Sequence, residues 1–227
     1  EKRRPTPIYW RPAERIVWGA MQQYYYSRNT SPEATRARDK TMEIAAQPLP
    51  PRAETRTPRA PEAWTRALKE KALAGYSDQV GIAAFRPEWV FDDSQADYPW
   101  IVIIAIAMDY QPISQAPSIA TSVEVMTQYG RGTKAANELA GWIRAQGYDA
   151  IAHCGPSAGP FLLIPGAIEA GIGELGKLGS VINPTFGACF RLAGVLTDMP
   201  LIADPPAPFG AEDFCMNCQV CTRACPA

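Results

Sequence analysis

Apolar and polar positions follow two rhythms along this chain. Trp100 to Met108 is an unbroken apolar run, which predicts a strand buried on both faces. It is far short of the roughly 20 residues that a membrane-spanning helix needs. Val80–Phe85, Tyr148–Ala152 and Phe190–Leu196 predict three more strands. Between them the spacing turns helical. Pro61-Glu62-Ala63 opens a helix that places Trp64, Ala67, Leu68 and Ala72 on one face. Ser118–Ala145 predicts a long helix ending near Gly147, with Leu139, Trp142 and Ile143 on its inner side, and Ile164–Ala170 a short one. Strands alternating with helices predict a layered domain of mixed α/β (α+β) class.

Less regular segments flank that core. Pro12-Ala13-Glu14 predicts a helix carrying Ile16, Val17, Ala20 and Met21, and Tyr24-Tyr25-Tyr26 reads as packing rather than base stacking. Five of the fifteen residues from Gln47 to Pro61 are proline, interspersed with Arg52, Arg56 and Arg59, so this stretch is an extended surface connection. A second proline-rich link, Asp204–Phe209, leads to a cysteine-rich tail. The expected units are a peripheral segment (1–61), an α/β core (62–203) and the beginning of a cysteine module (204–227).

Composition narrows the function classes. The 227 residues carry 22 Lys and Arg against 23 Asp and Glu, a net charge of −1 with a pI near 6.0, so binding of nucleic acid through bulk charge is excluded. An apolar share of 47% is enough for a sizeable core, whereas 22 prolines imply much loop. The single histidine, His153, limits imidazole chemistry to one position.

The tail carries the strongest chemical signal. Cys215-x-x-Cys218-x-x-Cys221-x-x-x-Cys225-Pro226 has the spacing at which bacterial ferredoxins deliver three thiolates to one 4Fe–4S cluster, while the cysteine before proline serves the other cluster. Disulfides are disfavoured because so tight a run matches no small secreted framework. Structural zinc usually pairs two knuckles across a longer loop. Cys225 then needs partners that Cys154 and Cys189, both read as small buried residues, do not supply. The expectation is a second cysteine motif beyond Ala227, with this chain one part of a longer protein.

Gly130-Arg131-Gly132-Thr133-Lys134-Ala135 fits the pattern G-x-G-x-x-A, with Asp149 downstream. A dinucleotide fingerprint needs an apolar strand directly before it, and Thr121–Gln128 is mixed and polar. The glycines read instead as places where the backbone bends or is closely approached.

Three stretches, Leu139–Ala150, Ala167–Lys177 and Arg191–Leu201, stand in order before the cysteine run, and together they resemble the reductive dehalogenase family. The resemblance covers about Ser118 to Ala227. It implies a corrinoid-binding core of nitroreductase-like fold followed by the first half of a two-cluster ferredoxin module. It also implies removal of halide from an organohalide by cobalamin Co(I) chemistry, with electrons from two 4Fe–4S clusters. On this alignment Tyr129 is the proton donor and Arg191 its cationic neighbour. A phenol holds its proton at neutral pH, and a guanidinium stabilises the phenolate left after transfer. Gly179, Ser180, Val181 and Ile182 would line the cobalamin edge. Cys215, Cys218 and Cys221 would hold the first cluster, and Cys225 the second.

The sequence departs from the family at Gly155, where Asn is frequent, and at Gly130-Arg131-Gly132. Asp149 lies four residues before His153, which does not match the Asp-x-His-x-x-Gly of base-off cobalamin proteins, so His153 is not expected to ligate cobalt. Expected partners are a small organohalide, a halogenated aromatic among the candidates, and an electron donor of ferredoxin, flavin-domain or quinol type. No nucleic acid and no membrane span are expected, and the location is expected to be cytoplasmic. Two other readings remain: an epoxyqueuosine reductase-like enzyme, favouring a catalytic acid and a basic face for tRNA, and a non-catalytic iron–sulfur carrier, which would not need the long α/β portion.

Overall fold

The structure is a computed structural model that describes residues 3–7, 14, 17–20, 23, 31–153 and 159–225. Pro12, Ala13, Ile16 and Met21 of the expected first helix, the Tyr24–Tyr26 run, Cys154 and Gly155 lie outside these residues; of its other positions Val17 is exposed and not helical, whereas Ala20 is helical.

The centre is a four-stranded sheet of β1 (Gln79–Ala84), β2 (Trp100–Ala107), β3 (Ala150–His153) and β6 (Phe190–Thr197), in the order β1-β2-β6-β3. Every adjacent pair is antiparallel. The expected mixed class is present. The long central pair is β2 with β6, which aligns Ile106 with Arg191 and Ile104 with Ala193.

Strand alternation sends the two sides of this pair into different cores. On one side Val102, Ile104, Ile106, Ala193 and Val195 pack against α2 (Pro61–Leu73) and α4 (Ile119–Ala145). Trp64 and Leu68 of α2 and Leu139 and Ile143 of α4 are fully buried there. Trp64 meets Trp142 and Tyr148 edge-on at 5.9 and 5.7 Å, a favoured aromatic geometry. On the other side Ile101, Ile103, Ala105 and Leu196 pack against α5 (Ile164–Glu169), Phe85, Trp89 and Phe161.

Helix α4 starts cleanly because the Ser118 hydroxyl accepts the Thr121 amide at 3.1 Å. The G-x-G-x-x-A run lies in the middle of this helix, where amides serve the helix rather than a phosphate. Gly130 has the role of close approach: a Cβ there would sit 2.9 Å from Thr41 Oγ1. Thr41 belongs to α1 (Pro32–Ala45), crosses onto α4 at this point and donates to the Met126 carbonyl at 3.0 Å. Arg131, between the glycines, pairs with Asp78 at 2.6 Å. The other Asp78 oxygen accepts the Ala107 amide at the end of β2.

Gly147 ends the long helix with φ +85°, and a Cβ would run into the Thr55 carbonyl. The proline-rich connection passes over this point, its Thr57 amide bonded to the Gln146 carbonyl at 3.0 Å.

After α5, the two-residue strands β4 (Glu174–Leu175) and β5 (Val181–Ile182) form a small hairpin. The Asp204 segment runs beside β1, exchanging backbone and carboxylate bonds with Ile82. The cysteines follow on α6 (Ala211–Cys218) and α7 (Val220–Ala224). No described helix is long and apolar enough to cross a membrane.

Candidate functional site

Tyr129 projects from the middle of α4, and Arg191 from the second residue of β6. The β2–β6 register places Arg191 opposite Ile106, on the face that α4 covers. An arginine there extends past the end of the apolar layer towards the helix. Its guanidinium carbon lies 5.0 Å from the centroid of the Tyr129 ring, within cation–π range. Both residues are half-buried. The Arg191 Nε is itself buried and has no hydrogen-bond partner among the described residues. A buried charged donor of this kind favours an acceptor brought by a ligand.

Glu124 and Asp109 also belong to this corner and were not singled out by sequence reasoning; Cys189, read there only as a small buried residue, joins them. Glu124, on α4 before Tyr129, accepts the Asp109 amide at 2.7 Å and the Gln128 side-chain amide at 3.0 Å. The Met108 amide donates to the Cys189 carbonyl at 3.0 Å, which closes the end of β2 against the start of β6. Burial pushes the Cys189 thiol above its ordinary pKa; Glu124 adds to the rise, Arg191 opposes it and Asp109 contributes less. Cys189, expected to be buried, is only half-buried, and its Sγ points at the Met108 carbonyl 3.6 Å away. The available signal was position: Asp109 directly follows the longest apolar run, and Cys189 is two residues before Arg191 on the same strand face.

His153 lies at the end of β3, where its Nε2 accepts the Gly159 amide at 2.9 Å and its ring meets Phe161 edge-on at 5.4 Å. Burial holds its pKa down at about 4. The imidazole is thus neutral and tied to the backbone of the segment that follows β3.

Gly179 and Ser180 form the exposed turn of the β4–β5 hairpin, with Gly179 at φ +83° and nothing within 4 Å of where its Cβ would be. Val181 is buried in the second core and Ile182 half-buried. This turn therefore offers a ligand backbone and open space, while the Val181 side chain faces inward. Asn183 braces it, accepting the Thr185 and Phe186 amides at 2.8 and 3.0 Å and donating to Gln79 at 2.7 Å.

The tail is helical through much of the cysteine run. Cys215 and Cys218 sit three residues apart on α6, and Gln219, at φ 56°, breaks the helix before Cys221 and Cys225. Helix spacing puts the first two thiols on one face. All four are free thiols, Cys221 and Cys225 exposed. Among the described residues no three His, Cys, Asp or Glu side chains converge as a metal site. The donor set nevertheless suits iron chemically: four free thiols lie within eleven residues of a short surface segment.

A mixed core that brings Tyr129 and Arg191 together is followed in this chain by four free thiols. No family model matches the chain. It is 36% identical over 160 residues to the tetrachloroethene reductive dehalogenase of Dehalobacter restrictus (strain DSM 9455 / PER-K23), covering 69% of this chain and 28% of that protein. It is 27% identical over 209 residues to an epoxyqueuosine reductase of Synechococcus sp. (strain RCC307), covering 75% of this chain and 62% of the relative. Among solved structures, a catabolic reductive dehalogenase in complex with 3-bromo-4-hydroxybenzoic acid superposes with a TM-score of 0.79 at 24% identity, over 90% of this chain and 32% of that one. An epoxyqueuosine reductase with a tRNA stem loop superposes at 0.53 with 18% identity, over 72% of this chain and 52% of that one. By sequence and fold the chain belongs to the reductive dehalogenase family. It spans just over a quarter of the length of the dehalogenase relative it matches.

Proposed function

We propose that this chain forms the substrate-reducing core of a reductive dehalogenase, replacing a carbon–halogen bond with carbon–hydrogen. The observation that supports the reading is the Arg191 guanidinium 5.0 Å from the Tyr129 ring. When bound, a corrinoid supplies the reducing cobalt centre, and thiolate-held iron–sulfur clusters feed it electrons. The rest falls to residues of the chain. The Tyr129 hydroxyl gives its proton to the carbon that loses halide. The Arg191 charge, close to the ring, favours the phenolate that remains. Its buried Nε–H, without an acceptor among the described residues, is a donor for an anionic substrate group or the departing halide.

Cys215, Cys218 and Cys221 would hold one 4Fe–4S cluster and Cys225 would contribute to the second. The exposed Gly179–Ser180 turn would present backbone to the corrinoid edge. The substrate class is a small organohalide, with a halogenated aromatic as a candidate, and the electron donor is of ferredoxin, flavin or quinol type.

The competing reading is an epoxyqueuosine reductase-like enzyme, favoured by the relative at 27% identity. The balanced charge and a tyrosine in place of an acid at the helix position speak against it. Anaerobic protein loaded with cobalamin, iron and sulfide should release halide from a brominated phenol when given a low-potential dye. Turnover of epoxyqueuosine RNA with no halide release would replace the proposal by its competitor.

A further inference from the structure

Helix α6 begins at Gly210, which has φ +88° and no side chain with which to cap the helix. The cap comes from elsewhere. Glu174 Oε2, on β4, accepts the Phe209 amide at 2.8 Å and the Ala211 amide at 3.0 Å. These bonds, Ala211 first and then Phe209, hold the Glu174 carboxyl below the usual carboxylate range. Glu212 and Asp213 add negative charge to the same first turn, as the helix dipole favours. Past Ala211, which is buried, α6 is mainly exposed: Phe214 and Met216 face outward. Its attachment to the core therefore rests heavily on one carboxylate.

The other end of that attachment is the β4–β5 hairpin, where Glu174 pairs with Ile182. Cys215 follows Ala211 by one helical turn and Cys218 by two. We propose that Glu174 is a positioning residue that fixes the thiol-bearing helix against the hairpin, so that Cys215 and Cys218 are held at a set place relative to the Gly179–Ser180 turn. The part of this that concerns cluster assembly rests on the cysteine reading above; the capping itself does not. The role needs an acceptor oxygen and not merely bulk. Gln, whose carbonyl accepts both amides, should replace Glu, whereas Met, similar in size and without an acceptor, should not.

The test is amide hydrogen exchange and thiol alkylation on the intact chain carrying Glu174→Gln or Glu174→Met, with iron uptake on anaerobic addition of ferrous ion and sulfide. For Glu174→Met, exchange across 209–218 and alkylation of Cys215 and Cys218 should accelerate about fivefold, the scale of a lost helix cap. Amides of β2 and β6 should not change, Glu174→Gln should stay within about twofold of the parent, and iron uptake should fall in Glu174→Met alone. Equal exchange and alkylation in the two variants would overturn the proposal, since packing alone would then explain the residue. Faster exchange with unaltered iron uptake would overturn the link to cluster assembly. If the unsubstituted chain takes up no iron, exchange and alkylation decide the positioning role by themselves.

Discussion

The guanidinium of Arg191 stands 5.0 Å from the ring of Tyr129, bridging the start of a central strand and the middle of the longest helix. The contact joins elements far apart in sequence and depends on the β2–β6 register. A shift of one residue would turn Arg191 to the opposite face of the sheet.

Substitutions at Arg191 should therefore grade by charge and shape. Arg191→Lys keeps a point charge and loses the planar fork, so dehalogenation should fall roughly tenfold; Arg191→Met should cost at least about a hundredfold. Steady-state rates at equal cobalt loading check the order. Equal activity in the two variants would deny the charge a role.

Cys218→Ser should remove the iron of the cluster that Cys215, Cys218 and Cys221 hold from anaerobically purified protein, with loss of its broad thiolate-to-iron absorption. Iron and sulfide analysis measures it. Stoichiometric zinc with no iron in the unsubstituted protein would contradict the assignment.

Gly147→Ala should destabilise the fold by about 2–4 kcal/mol. The residue has φ +85°, and the new Cβ would meet the Thr55 carbonyl, so backbone strain and collision act together. Urea unfolding gives the difference directly, and a loss below about 1 kcal/mol would mean that the Thr55 crossing yields easily.

His153 gives the fold a pH dependence. Its folded pKa is held at about 4 by burial, below the ordinary value near 6.5. Between these values the unfolded chain binds the extra proton and the folded chain does not. Stability is therefore full above about pH 6.5 and declines as pH falls towards 4, by on the order of 3 kcal/mol. The His153→Gln variant, which keeps a side-chain acceptor for the Gly159 amide, should lack that part of the decline. Parallel pH profiles of the unfolding midpoint check this.

The main frame was legible in sequence because its periodicity is strong. The predicted strands Val80–Phe85 and Trp100–Met108 appear as Gln79–Ala84 and Trp100–Ala107, and the long helix predicted over Ser118–Ala145 appears as Ile119–Ala145. Helix α1 escaped because six of the fourteen residues of Pro32–Ala45 are charged and only Ala34 and Thr41 are buried, too few to show an apolar face. The hairpin strands have two residues each, too few to show alternation. Strand partnership was hidden too, since β2 pairs with a strand that begins 83 residues after its own end. Tyr129 and Arg191 could be named together only through the family resemblance, because no local pattern links a helix position to a strand so distant. Glu174 lies within the stretch Ala167–Lys177, but its hold on α6 depends on a fold-level meeting with Phe209 and Ala211.

The central claim is that Tyr129 delivers the proton that replaces halide. Tyr129→Phe preserves the ring under Arg191 and removes only the hydroxyl. Halide release by this variant should be measured with a chemical reductant, at iron and cobalt contents matched to the parent. A fall of at least about a hundredfold is the predicted result; near-parental turnover would contradict the account and leave another group as the donor.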